Sequence, residues 1–266
     1  MKVYEYAKNI IESRPYKYQT RQTLYKDLKR LGILNRDICE INSAVIRNIV
    51  EQIPTQSTRK RLYITCRSLF RDIGECQDLP YLQVQGKFYD IPSQELLEWF
   101  IARSKYKFQL TLCMFAGLRV GEACAITPKN LEGNWLEINQ AYSQDGLNLG
   151  SPKTYGKIMV PSWLAQEIQE MKREDYWKLG WPTSRVTNSC IKLSRNSVWK
   201  SMSDGKRVNP HMLRHWYATD MIRRGVSPEV VRRQMRHKNV SVTLQIYTQV
   251  RSEEVRESLP MRISKS

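Results

Sequence analysis

Pro210-His211-Met212-Leu213-Arg214-His215-Trp216-Tyr217-Ala218-Thr219 is the stretch that decides how this chain is read. Its spacing predicts a helix that begins after the break at Pro210. At 100° per residue, His211, Arg214 and His215 fall within an arc of about 100° on that helix. One face thus presents two imidazoles and a guanidinium. The chain has only three histidines, and the third, His237, lies close downstream. Histidine is the side chain suited to proton traffic near neutral pH, so the clustering points to chemistry. Histidines at i and i+4 also suit zinc. Here, however, Met212 follows the first histidine where a metalloprotease helix carries Glu, and the fixed charge of Arg214 would repel a dication. No metal is expected.

Three further stretches carry chemistry-bearing residues in sequence order. Ala116-Gly117-Leu118-Arg119-Val120-Gly121-Glu122 follows an apolar run predicted to be a buried helix over Phe108–Gly117. Ser151-Pro152-Lys153-Thr154-Tyr155-Gly156-Lys157 lies between short strand-like pieces. His237 is followed ten residues later by Tyr247, within Gln245-Ile246-Tyr247-Thr248. Together with His211-x-x-Arg214-His215, these stretches resemble the signature boxes of the tyrosine recombinases, which include lambda-type integrases, Xer recombinases and Cre. The resemblance covers about 94–266, and the helical N-terminal region is similar to the family's core-binding domain. Arg236 departs from the pattern, standing where the family often has Gly, and the His-to-Tyr gap is one residue longer than usual.

The resemblance implies a site-specific DNA recombinase, or integrase, that cleaves and rejoins strands through a 3′-phosphotyrosyl intermediate on Tyr247. Attack on a phosphodiester builds negative charge on the non-bridging oxygens, and Arg119 and Arg214 would clamp them with planar, permanently charged donors. A phenol with a pKa of about 10 needs a proton acceptor, for which His211 is the candidate. Lys153 would protonate the departing 5′-oxygen, with Lys157 as the alternative. His237 would hydrogen-bond the phosphate, and Glu122 and His215 would orient the groups that touch it. Neither metal nor ATP is implied, so no cofactor is expected. The implied partner is double-stranded DNA carrying a specific site, engaged as a homotetramer on synapsed DNA, with a monomer as the alternative in free solution. Competing readings are a type IB topoisomerase-like enzyme, a catalytically silent DNA-binding protein on the same fold, and a metal-dependent nuclease.

Composition agrees with a polyanionic partner. The 266 residues carry 43 Lys and Arg against 26 Asp and Glu, a net charge of +17, an excess that favours nucleic acid. Both halves are basic: residues 1–86 hold 15 basic and 9 acidic side chains. The six cysteines form no C-x-x-C pair, which leaves a zinc ribbon without support. The N-terminus lacks the apolar core of a signal peptide, and the most apolar run, Phe108–Leu118, is about half a membrane span. An intracellular place of action is expected, the cytoplasm or nucleoid of a prokaryotic host, whether the gene belongs to the host, a virus or a plasmid.

Periodicity predicts a mainly α protein of two domains, a helical core-binding bundle over 1–82 and a mostly helical α+β catalytic domain with a small antiparallel sheet over 93–266, joined by a linker at 83–92. Leu24, Leu28 and Leu31 repeat at helical spacing before Gly32. Val45, Ile46, Ile49, Val50 and Ile53 form a second stripe between Asn42 and Pro54. A third helix after Ser57 turns Leu62, Cys66, Leu69 and Ile73 inward and Lys60, Arg67 and Arg71 outward. A solvated face would mix both signs of charge, so this face is a candidate for DNA phosphates. These helices begin almost at residue 1, so no separate N-terminal domain for distant arm sites is expected. Ser93 is placed to cap a helix through Leu96, Leu97 and Phe100. Strands are expected around Trp135–Ile138, Leu147–Ser151 and Ile158–Val160, with helices again from Trp163.

Overall fold

In a computed structural model, the apolar stripes of the N-terminal stretch gather on helices α1 (Val3–Ser13), α2 (Tyr18–Leu31), α3 (Ser43–Glu51) and α4 (Gln56–Leu69). The structure describes residues 1–73, 76, 78–83, 90–241, 243–248 and 250. The chain divides into two compact units, Met1–Lys87 and Phe88–Ser266. Residues 84–89, most of the expected linker, and 251–266 lie outside the described residues.

In the first unit, Leu24, Leu28 and Leu31 of α2 meet Ile46 and Val50 of α3 and Leu62, Cys66 and Leu69 of α4 in one buried cluster. Gly32 ends α2 in the left-handed region, at φ 66°. Asn42 caps α3 by accepting the Val45 N–H at 3.0 Å. Helices α2 and α4 are also tied by charge. The buried Asp27 carboxylate accepts from Arg61 Nε at 3.0 and 3.2 Å and from the Thr65 hydroxyl at 2.9 Å.

The expected basic face of this unit is altered. Helix α4 stops at Leu69, so the exposed Arg71 and the half-buried Ile73 lie beyond it. Arg67 donates to the Leu79 and Pro80 carbonyls at 3.3 and 2.5 Å, and its guanidinium lies 3.9 Å over the Tyr81 ring. A guanidinium used this way braces its own chain. Lys60 remains half-buried on α4.

The second unit begins with α5 (Gln94–Ala102), whose first turn Ser93 caps. Then come α6 (Lys107–Phe115) and α7 (Val120–Ala125). Helix α6 buries Leu110, Leu112, Cys113 and Met114 on nearly all sides, so it runs through the core. A three-stranded antiparallel sheet follows in the order β1 (Leu131–Glu132), β2 (Trp135–Ile138) and β5 (Gly156–Met159). Leu136 pairs with Ile158 and Glu137 with Lys157, so the pleat buries the first pair and exposes the lysine. A separate ribbon pairs β3 (Ala141–Tyr142) with β4 (Leu149–Gly150). Strands β1 and β3 are two residues each, too short for a period-2 pattern to announce them.

Helices α8 (Ser162–Gln169), α9 (Ser184–Ser194), α10 (Ser197–Ser203), α11 (Pro210–Arg223) and α12 (Pro228–Met235) complete the regular elements up to 235, and residues 243–248 are helical. Pro210 is the first residue of α11 rather than a break before it, and Asn209 caps the helix by accepting the Met212 N–H at 2.9 Å. Proline suits a first turn because its missing N–H would have no partner there. Among the described residues no helix is long and apolar enough to cross a membrane.

The buried Asp27 tie yields a stability test. Asp27→Ala should destabilise the protein by about 2 kcal/mol in urea unfolding, because the Thr65 hydroxyl loses its partner and Arg61 its counter-charge. Discounting the half-exposed arginine, Arg61→Ala should cost less than Asp27→Ala. Equal stability of Asp27→Ala and wild type would show the tie to be idle.

Candidate active site

The site is assembled at the turn between α6 and α7. Gly117 takes φ +61°, and a Cβ there would lie 2.6 Å from Tyr217 Cδ1 and 2.9 Å from Met235 Sδ. Only glycine allows both the left-handed turn and this close approach of α11 and α12. The turn aims the Gly117 carbonyl at Arg214, whose Nη1 donates to it. Arg214 Nη2 donates to the Met235 carbonyl at the end of α12. The Arg214 side chain is buried.

Arg119 is the N-cap of α7, and Glu122, three residues on, accepts its backbone N–H at 2.9 Å and its Nη1 at 3.0 Å. This carboxylate-to-N-cap contact is half of a capping box, and it orients the guanidinium. Arg119 stays about a third exposed, at 31%, while Glu122 is buried. Glu122 Oε2, which accepts the Arg119 N–H, also accepts Arg236 Nη2 at 2.6 Å. Arg236 closes α12 in the left-handed region at φ 52°, and its Nη1 donates to the Thr154 carbonyl at 3.1 Å. His237 follows, with Nδ1 at 2.9 Å from the Thr243 hydroxyl. When that hydroxyl donates, the ring's one proton sits on Nε2.

Glu122 binds two guanidinium groups, Arg119 and Arg236, and acts on the third, Arg214, through its charge alone. The excess charge acts on every nearby group. Burial, then the charges of Arg214 and Arg119, push His211 below its ordinary value. Burial and the same two arginines take His237 down to about 4. Burial and His211 take His215 to about 4, and its Nδ1 lies 3.3 Å from the Thr219 hydroxyl. Arg214 itself falls to about 9 through burial and then Arg119, and stays charged at neutral pH. Burial works to raise Glu122, but the hydrogen bonds and charges of Arg236 and Arg119 outweigh it and hold the carboxyl below its usual range. The result is a cationic floor beneath neutral imidazoles, a ready receptor for an anion.

Of the residues singled out in the sequence, Arg119, Glu122, His211, Arg214 and His237 come together here, with His215 beside His211. Lys153 is exposed at the bend preceding β5, next to the Thr154 that Arg236 holds. Lys157 points elsewhere, with Nζ 3.1 Å from Glu132. Tyr247 is half-buried on the helical residues 243–248 and packs against a cluster of Ala218, Ile222, Val231, Met235 and Ile246. Lys60, Arg67 and Arg71 belong to the first unit. Two participants were given no role in the sequence reading. Arg236 was visible only as a departure from a pattern, and Thr243 carried no signal beyond lying six residues after His237.

Histidine titration follows with a definite sign. Folded-state values near 4 lie below the unfolded value of about 6.5, so the unfolded chain binds more protons between them. The stability from His215 and His237 should be complete above about pH 6.5 and fall as the pH drops toward 4. NMR titration of the imidazole resonances should give midpoints near 4 for both. Midpoints near 6.5 would show the rings to be solvated and the site open.

Comparison with known proteins gives an independent view. The model of the phage integrase family matches residues 94–254, well over half of the chain. The tyrosine recombinase XerA of Pyrococcus furiosus is 31% identical over 170 residues, which cover 60% of this chain and 56% of that one. The chain spans about half the length of the curated relatives it matches. Among solved structures, the Tn1549 transposon integrase in complex with transposon right-end DNA superimposes with a TM-score of 0.73 at 16% identity, covering 97% of this chain and 99% of that one. A lambda integrase dimer bound to a COC′ core site gives a TM-score of 0.68 at 16% identity, covering 99% and 100%. At these identities the likeness is one of fold.

Proposed function

The chain belongs to the phage integrase family, and on that premise we propose that it is a site-specific recombinase that cuts and rejoins double-stranded DNA through a covalent bond to Tyr247. The observation that carries this reading is the charge of the site, three guanidinium groups over one carboxylate with neutral imidazoles beside them. A phosphodiester supplies the missing anion. The basic composition and the likeness of fold to integrases captured on DNA support the same partner.

In this mechanism Arg119 and Arg214 hold the non-bridging oxygens, where charge develops in the transition state. The Tyr247 oxygen bonds to phosphorus, and the bond from phosphorus to the 5′-oxygen breaks. The phenol proton passes to His211, whose depressed pKa keeps it unprotonated and able to accept. Lys153 donates a proton to the leaving 5′-oxygen. His237, neutral, donates from Nε2 to the phosphate. Attack by a 5′-hydroxyl of another strand on the phosphotyrosine reverses these transfers, and because the bond energy is kept in the link, no nucleotide need be hydrolysed. We assign DNA gripping to a core-binding domain over 1–82, with Lys60 and Arg71 as phosphate contacts, and chemistry to 93–266. The active assembly is a homotetramer on two synapsed sites, acting where a prokaryotic host keeps its DNA.

A nicked suicide duplex should trap the wild-type chain covalently, whereas Tyr247→Phe should bind DNA normally and trap nothing. Arg119→Ala should cleave on the order of 100-fold or more slowly with little loss of affinity. Arg119 is the cleaner probe, because Arg214 also ties the fold together. A persistent adduct in Tyr247→Phe, or relaxation of supercoils without strand exchange between two sites, would overturn the assignment.

The N-terminal face gives a separate test. Lys60→Gln and Arg71→Gln should each lower the slope of log affinity against log salt by roughly 0.9 on duplex DNA. Arg67→Gln should lower it less, because its donors are already used on Leu79 and Pro80. An unchanged slope in the Lys60→Gln, Arg71→Gln double variant would make that face solvated surface.

A further inference from the structure

We propose that Arg236 is a positioning residue that clamps the turn bearing Lys153 onto Glu122, so that the leaving-group acid is set by one buried guanidinium. The proposal rests on the recombinase reading above and goes beyond it. Three observations carry it.

First, Arg236 occupies a left-handed backbone position, φ 52°, where a side chain is disfavoured and glycine would sit without strain. The tyrosine recombinase pattern often has Gly there. A long cation at such a place is retained against its local preference.

Second, the side chain does not face solvent. It is buried, and among the described residues its Nε has no hydrogen-bond partner, a cost that an exposed arginine would not carry. Its two terminal nitrogens are committed, Nη2 to Glu122 at 2.6 Å and Nη1 to the Thr154 carbonyl at 3.1 Å. These partners lie 114 and 82 residues away in sequence.

Third, the turn is held at two points. A Cβ on Gly156 would lie 3.2 Å from Arg236 Cδ, so the turn packs along the aliphatic stem while Thr154 is fixed by its carbonyl. Lys153 is the residue immediately before Thr154. Lys157 is excluded from this arrangement, since it sits opposite Glu137 in the sheet and pairs with Glu132. Arg119 is held to Glu122 by its own backbone N–H and Nη1, so the phosphate clamp keeps its anchor when the turn is released.

The test separates leaving-group protonation from phosphate stabilisation. Two suicide duplexes are compared, one with the ordinary 5′-oxygen at the cut and one with sulfur at that bridging position. A thiolate leaves without protonation, so the sulfur substrate bypasses the general acid. Arg236→Gly, which relieves the backbone and removes the clamp, should cleave the ordinary duplex about 10- to 100-fold more slowly than wild type, the loss expected of a misplaced group. It should cleave the sulfur duplex within a few-fold of wild type, with unchanged DNA affinity. Arg236→Lys, which keeps the charge but cannot hold both partners, should behave alike and guards against a folding defect in the glycine variant. Arg119→Ala should be slow on both duplexes.

Equal slowing of both duplexes by both Arg236 variants would overturn the proposal and assign Arg236 to the phosphate or to Arg119. Wild-type rates on the ordinary duplex would show that the turn needs no clamp. If wild type forms no adduct on either duplex, the recombinase reading itself fails, and this inference falls with it.

Discussion

A guanidinium inside a protein has to spend its donors, and Arg214 spends them on the main chain. Its two terminal nitrogens reach the carbonyls of Gly117 and Met235, 97 and 21 residues away in sequence. Both carbonyls lie at helix ends, where the backbone ladder has run out of partners. One side chain on α11 therefore closes the end of α6 and the end of α12 at once. Arg119 and Glu122 begin just after the first of these ends, and Arg236 and His237 just after the second. The candidate site exists because these two chain reversals are held against one buried cation.

That arrangement sets an electrostatic problem which the rest of the site leaves open. Among the described residues three cations face one carboxylate, and they cannot neutralise one another. A protein selected only for stability would add a second acid or replace an arginine with an apolar side chain. This chain instead depresses its histidines and lowers Arg214 to about 9. Unbalanced charge in a partly buried place is what a site for a bound anion requires before the anion arrives. Glu122 is then less a counter-ion than a fixture. It lines up Arg119 and Arg236 and leaves positive charge to spare.

Much of this was legible in the sequence, for identifiable reasons. The stripes of Leu24, Leu28, Leu31, Ile46 and Val50 declare their helices because burial on one face imposes a 3.6-residue period. Asn42 and Ser93 declare helix starts because a side-chain oxygen there has a defined task. Gly117 and Arg119 lie two and four residues beyond Phe115, where the apolar helix α6 ends, and take their places from that local frame. The period of the stripe places Arg71 on a helix it does not belong to, since nothing in the sequence shows α4 stopping at Leu69. Pro210 reads as a break in the sequence, although its chemistry suits the first turn equally well.

What stayed hidden has a common physical form. Arg67 binds the carbonyls of Leu79 and Pro80, Arg214 those of Gly117 and Met235, and Arg236 that of Thr154. In each case the acceptor is backbone, and every residue type carries the same carbonyl. A charged pair such as Asp27 and Arg61 leaves two unusual letters to be matched. A guanidinium on a carbonyl leaves one, and its partner is anonymous until the fold brings it near. The sequence can therefore name the arginines that carry chemistry and still not say what positions them. In this chain the positioning contacts are mostly of the anonymous kind, which is why Arg236 read as a lone irregularity beside His237 and not as the bridge between Glu122 and the Lys153 turn.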